Sequence, residues 1–208
     1  IFFAEKMLEN EINGEYGDVM ELVFYNTVLA GMQLDGKRFF YVNPLEVDPG
    51  ITGKACTHAH VLPSRPQWYA CACCPPNVAR LVGSVGKYAY GEKDCTAYCH
   101  MFAAGKVDFS NGISLECRTD YPYGMSVKYD VTGSGRLAVR IPKWSRNYTL
   151  TADGTEVTAA PENGYVYVAV NGYTQVELLL DGTPRFVRAS GRVPRLTGMT
   201  ALMRGPLV

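Results

Sequence analysis

The 208 residues carry twenty Lys or Arg against twenty Asp or Glu, a formal net charge of zero, with 47% hydrophobic and 19% charged side chains. That is an ordinary globular balance for one large domain or two small ones, with no broad electrostatic pull toward nucleic acid or an anionic membrane. No apolar stretch approaches the ~20 residues that span a bilayer; the longest, Val19 to Met32, is interrupted by Glu21, Asn26 and Thr27.

Taken in order, Ala4, Leu8 and Ile12 fall on one face at helical spacing, so the chain opens inside a helix with no capping residue. It stops at Leu207-Val208 in a strand-like run after Gly205-Pro206. Both ends read as cut, so the expectation is a piece of a longer protein whose localisation is not legible. Asn13 to Gly17 breaks the first helix. Asp18 then predicts an N-cap, with Glu21 completing a capping-box pattern, for a second helix running to about Met32. Its residues Val19, Leu22, Val23, Phe24, Tyr25, Val28 and Leu29 cover most of the circumference, which predicts burial on several sides. Asp35-Gly36 signals a turn into a strand over Arg38–Val42, and residues 43–67 read as a long loop rich in Pro and Gly. A third helix follows, with Pro75 and Pro76 in its first turn and Val78, Leu81, Val82, Val85 and Tyr88 at helical spacing.

After about Tyr90 the period changes from 3.6 to 2. Val127/Tyr129/Val131, Leu137/Val139/Ile141, Val166/Val168/Val170 and Val176/Leu178/Leu180 alternate with outward positions. Between them stand Ser110-Asn111-Gly112, Gly133-Ser134-Gly135, Asp153-Gly154, Asn163-Gly164 and Asp181-Gly182. This is the pattern of an antiparallel β-sandwich or barrel. The chain is therefore expected to be α+β and multidomain, with residues 1–90 helical, 91–194 a β-sandwich and 195–208 the start of a further β segment.

The seven cysteines are an odd number, and Cys71, Cys73 and Cys74 fall within four residues. Such clustering suits a metal or reactive-thiol site better than a disulfide framework. Cys117 alternates with Leu115 and Thr119 and reads as a small buried hydrophobe. Cys95, Cys99 and His100 are of metal-ligand type but share a strand-like run with Tyr98 and Met101. In the stretch Trp68-Tyr69-Ala70-Cys71-Ala72-Cys73-Cys74-Pro75-Pro76-Asn77 the thiols stand just before a helix start. Unpaired N–H groups and the macrodipole there favour anions, a thiolate among them. Thiolates are also zinc's soft ligands, though two adjacent cysteines supply only half a tetrahedral set. On spacing alone two readings stay open: a metal or reactive-thiol site, and a helix start with buried structural thiols.

The Trp68–Asn77 stretch and the following Val78-Ala79-Arg80-Leu81 resemble the signature of glycoside hydrolase family 127, the β-L-arabinofuranosidases. Further matching segments are Tyr16–Glu21, Tyr25–Gly31, Phe39–Leu45, Arg140-Ile141-Pro142-Lys143-Trp144 and Arg204–Val208. The resemblance implies the C-terminal helices of an (α/α)6 barrel followed by an antiparallel β-sandwich. It implies a zinc held by one Glu and three Cys, with Cys73 and Cys74 as two of the ligands and Cys73 as the catalytic nucleophile. It places the other two ligands, in a Glu-x-Cys motif, and the general acid/base Glu upstream of Ile1. It assigns Tyr41 to the substrate pocket, where the plain reading is a packed strand residue. The implied reaction is retaining hydrolysis of terminal β-L-arabinofuranose from an oligosaccharide or glycoprotein glycan, with no nucleic-acid or membrane partner.

Glu46, Asp48, Glu92 and Asp94 read as loop and surface charges, and Cys71 as a neighbour of the zinc pair rather than a ligand. Cys56-Thr57-His58-Ala59-His60 has ligand-type residues without a family counterpart. Two rival functions stand beside the hydrolase. One is a non-catalytic carbohydrate-binding or scaffold protein with a structural zinc–thiolate site; the other is a metal-free thiol enzyme pairing a cysteine with His58 or His60.

Overall fold

The computed structural model of the chain describes residues 1–44, 46–54, 59–68, 71 and 73–208. The first helical pattern is realised as α1, Phe2–Asn10, which buries Ala4 and Leu8. Helix α2 spans Gly14–Val23 and so starts four residues before the expected cap. Asn13 takes that role, its Oδ1 accepting the N–H of Glu15 at 3.0 Å. Asp18 and Glu21 instead lie within the helix, and Glu21 is fully buried. The Asp-x-x-Glu spacing marks two carboxylates on one inward face, not a capping box.

The chain divides into two compact units, Ile1–Glu21 with Gly86–Val208, and Leu22–Val85. In the second unit the helix expected to reach Met32 loosens into a π-turn, Phe24–Val28, and a 3₁₀ turn, Leu29–Gly31. Val19, before the loosening, is 50% exposed, so burial on several sides is not achieved within these residues. Arg38–Val42 forms no strand. Only Phe39 bridges Met32, through the bonds from Gln33 N–H to Arg38 O and from Phe40 N–H to Gly31 O, while Phe39 N–H donates to Pro66 O. Gly36, with φ of +71°, makes the turn at the tip. Helix α3 covers Cys74–Gly83 and α4 Val85–Ala89. The single helix expected through Tyr88 breaks at Ser84, whose hydroxyl donates to the Arg80 carbonyl at 2.7 Å.

In the first unit the period-2 segments become strands β1 (Tyr90–Lys93), β2 (Thr96–Cys99), β3 (Gly105–Asp108), β4 (Ser114–Thr119), β5 (Ser126–Arg140), β6 (Tyr148–Ala152), β7 (Thr155–Glu156) and β8 (Tyr165–Leu180). They form one sheet in the order β1-β2-β5-β8-β6-β7, with β4 also on β5 and β3 on β4. All pairs are antiparallel except β2 with β5. That parallel pair departs from the all-antiparallel expectation because β3 and β4 lie in the crossover between its members. Strands β9 (Arg185–Arg188) and β10 (Thr200–Met203) pair separately.

The long β5 and β8 are paired from Ser126↔Leu179 to Arg140↔Tyr165. Midway they exchange neighbours: β5 pairs with β4 up to Thr132 and with β2 from Arg136. Gly133 faces Gly172 at the switch, with φ of +128° and +82°. A side chain on Gly133 would stand 2.6 Å from the Gly112 carbonyl, so only glycine fits there.

The expected alternation is seen in the core. Val127, Tyr129, Val131, Leu137 and Val139 of β5, and Val166, Val168, Val170, Val176, Leu178 and Leu180 of β8, are all buried. Each of these Val and Leu side chains contributes on the order of 1.5–3 kcal/mol of transfer free energy. Cys99 and Cys117 are buried with them. Burial pushes the Cys99 thiol up and that of Cys117 up to about 11, which keeps both protonated and inert.

The fold also encloses a charged cluster. Arg140 is fully buried. Its Nε donates to the His100 carbonyl, one terminal nitrogen to Asp18, and the other to Glu21 Oε1 at 2.6 Å. Glu21 accepts two further bonds, from Tyr121 Oη at 2.7 Å and Trp144 Nε1 at 2.9 Å. Burial alone would disfavour the guanidinium charge, but Glu21 and Asp18 more than offset it and raise the Arg140 pKa. No helix among the described residues is long and apolar enough to cross a membrane.

Candidate thiol site at the start of the third helix

Cys73 is the N-cap of α3 and Cys74 its first residue, which makes Pro75 and Pro76 the second and third. An N-cap side chain normally accepts a hydrogen bond from the N–H of the second or third helical residue. Here both are prolines and have no N–H. The Cys73 side chain accordingly makes no cap bond. The sequence thus builds a helix start whose N-cap sulfur has nothing to cap.

Its neighbours are other sulfurs. Cys73 Sγ stands 3.4 Å from Cys71 Sγ and 3.5 Å from Cys74 Sγ. The Cys74 thiol donates to the Tyr41 carbonyl at 3.7 Å. Cys73 is exposed, while Cys71 and Cys74 are half-buried. The turn after the Met32–Phe39 bridge therefore brings Tyr41 beside Cys74 through its backbone, and leaves the residue 39% exposed. The Cys73 carbonyl is braced from within α3: Asn77 Nδ2 donates to it at 2.9 Å, and Arg80 Nη2 donates to Asn77 Oδ1 at 3.1 Å. These two bracing residues lie inside the sequence signature, but the sequence reading gave them no role. The clue was their spacing, four residues after Cys73 and three after Asn77, which puts all three on one helix face.

Zinc can be tested against the donor set. Two sulfurs each ~2.3 Å from a tetrahedral zinc stand about 3.8 Å apart, close to the 3.5 Å between Cys73 and Cys74. The pair fits two of four positions. Among the described residues no group of three or more His, Cys, Asp or Glu is arranged to hold a metal ion.

The remaining candidates are elsewhere. Cys56 and His58 lie outside the described residues, and His60 is exposed. Cys95 is exposed, whereas Cys99 is buried in β2. His100 is buried, with Nδ1 2.7 Å from Tyr165 Oη. Burial, and secondarily Arg140, holds its pKa down to about 4, so it is neutral and structural at physiological pH. Glu92 is an exposed residue of β1 rather than of a loop, and its carboxylate accepts from Ser110 Oγ and Asn111 N–H.

Two family models match the chain, described as the β-L-arabinofuranosidase GH127 catalytic domain over residues 1–87 and the GH127 middle domain over residues 96–181. A non-reducing end β-L-arabinofuranosidase of Bifidobacterium longum subsp. longum is 43% identical over 99% of this chain and 33% of its own length. The crystal structure of a GH127 β-L-arabinofuranosidase from Geobacillus stearothermophilus superposes with a TM-score of 0.89 at 36% identity, over 99% of this chain and 34% of that one. Another GH127 β-arabinofuranosidase superposes at 0.84 with 28% identity, over 98% and 34%. The chain spans about a third of the length of these relatives. With its helical part matched to one domain of the family and its sheet to the next, the chain belongs to glycoside hydrolase family 127.

Proposed function

We propose that this chain carries the thiol side of the active site of a retaining glycoside hydrolase that releases terminal β-L-arabinofuranose from an oligosaccharide or glycoprotein glycan. The observation that carries the reading is the exposed Cys73 sulfur, freed of capping by two prolines and set 3.5 Å from Cys74, in a family whose relatives are named for that activity. On this reading residues 1–90 are the C-terminal helices of an (α/α)6 barrel, 91–194 a β-sandwich, and 195–208 the start of a further β segment.

The Cys73 thiolate attacks the anomeric carbon. An S–C1 bond forms as the glycosidic C1–O bond breaks, and the departing oxygen takes a proton from an acid group outside these residues. Water then attacks C1, giving its proton to the same group, and the thiolate leaves. Two inversions at C1 give net retention. Cys73 and Cys74 would hold the zinc, with two further ligands from outside residues 1–208. When bound, zinc supplies a charge that keeps both sulfurs deprotonated at neutral pH. Tyr41, held against Cys74 by its backbone, would line the sugar pocket with its ring.

A cyclic electrophile shaped like L-arabinofuranose, followed by peptide mass spectrometry, tests the assignment in the protein expressed from its complete reading frame. An adduct on Cys73 is expected. Labelling of Cys74 or Cys71 would overturn the residue assignment, and labelling of a carboxylate would overturn the thiolate mechanism. Metal-locked, unlabelled thiols would point to the structural zinc site instead.

A further inference from the structure

We infer that Asn77, oriented by Arg80, is the positioning residue for Cys73; the inference rests on Cys73 being the nucleophile. A nucleophile must be held to within a fraction of an ångström of its line of attack, and a 1 Å displacement costs on the order of 10²-fold in rate. At most helix starts a side-chain cap helps fix the N-cap residue, but Pro75 and Pro76 remove both N–H groups that would serve. What holds the Cys73–Cys74 peptide plane is the Cys73 carbonyl. The helical N–H of Asn77 reaches it only at 3.4 Å, a long bond. The Asn77 side-chain amide reaches the same oxygen at 2.9 Å and so makes the tighter attachment.

The orientation of that amide is not free. Arg80 has only donors, so the Asn77 oxygen must face it and the NH₂ must face Cys73. The 73–74 plane sets the direction of the Cα–Cβ bonds on either side of it, and hence which sulfur is presented. The Arg80–Asn77 relay therefore aims the Cys73 sulfur without touching it.

The test uses the protein from its complete reading frame in parent, Asn77→Asp, Arg80→Met and Arg80→Lys forms, with Cys73→Ser alongside. Asn77→Asp keeps an acceptor for Arg80 but loses the donor to Cys73. Three readouts are taken: kcat against KM, the melting temperature, and the distribution of iodoacetamide among Cys71, Cys73 and Cys74 after chelation of metal. For Asn77→Asp the expected result is a kcat lowered roughly 10- to 10²-fold, with KM and melting temperature little changed and alkylation spread from Cys73 to its neighbours. Arg80→Met should follow in the same direction, and Arg80→Lys should recover most of the loss. Parent-like kcat and labelling in Asn77→Asp would overturn the inference, as would a loss that tracks the melting temperature alone. Turnover surviving in Cys73→Ser would instead remove the nucleophile reading, and the alkylation pattern would still report whether Asn77 aims Cys73.

Discussion

Arg140 and Cys73 show two opposite treatments of a polar side chain. Arg140 is wholly buried, and each of its three nitrogens has a partner in His100, Asp18 or Glu21. Cys73 is exposed at a helix start, and the residues whose N–H groups would have engaged it are prolines. The first arrangement joins α2 to the sheet by giving each guanidinium nitrogen a partner; the second leaves a sulfur with no backbone N–H to cap and only other sulfurs beside it. On the proposed reading, the fully partnered group holds the fold together and the uncapped one is left for chemistry.

The sharpest way to break the comparison is to exchange the free atom. Cys73→Ser replaces the sulfur by a hydroxyl, a far poorer nucleophile, and turnover should fall by about 10³-fold or more and should not return on adding zinc. Cys74→Ser should act through weaker metal binding, so that added zinc restores part of the activity. A Cys73→Ser protein with parent turnover would end the reading of this sulfur as reactive.

The next effect is on stability. Arg140→Met leaves the Glu21 and Asp18 carboxylates without their cation, and breaking a buried pair costs about 3–5 kcal/mol. Urea midpoints and slopes should report that loss. A variant as stable as the parent would mean the cluster is dispensable.

His100 gives a smaller, pH-gated effect. Its folded pKa of about 4 lies below the usual 6.5. Between those values the unfolded chain takes up a proton that the folded chain does not, so stability rises with pH across the window. From pH 6.5 down to 4 the loss should approach about 3 kcal/mol, and below 4 this group adds nothing more. His100→Gln should flatten that part of the urea-midpoint profile. An unchanged slope would show that other groups cause it.

The smallest effect is expected at Lys143, whose ammonium pairs with Glu15 on the surface. Solvent screens such a pair, and Lys143→Ala should melt with the parent. A clear drop would blur the distinction between exposed and buried pairing.

Much of the sheet was legible because period-2 burial is a local signal: Val127, Tyr129 and Val131 announce their inward face without knowledge of their partners. The parallel β2–β5 pair and the strand exchange at Gly133 were not, since pairing is decided by residues far apart in sequence. Asp18 and Glu21 misled for the same reason. Their spacing matches a capping box, and only Arg140, more than a hundred residues away, reveals their role. Arg38–Val42 has strand-forming residues but pairs only through the Met32–Phe39 bridge. At the thiol site the Cys-Cys-Pro-Pro run was readable as a helix start. The brace by Asn77 depends on which way an amide faces, which no sequence states.

The long pairing of β5 with β8 also bears on the order of assembly. Its ends differ about two-fold in chain separation, Arg140 and Tyr165 being the closer pair along the chain and Ser126 and Leu179 the more distant. Closing a short loop costs less entropy, so the ladder should zip from the Arg140 end toward Ser126. The bond from Arg140 to Glu21 bridges 119 positions and belongs to the late, slow contacts. Docking of α2 then becomes a latch that shuts after the sheet exists. In stopped-flow chevrons Arg140→Met should raise the unfolding rate and leave the folding rate nearly unchanged; slowed folding would place the latch before the sheet. A latch of that kind makes Arg140 a timekeeper for release, setting how long the helix stays on the sheet more than how quickly it arrives.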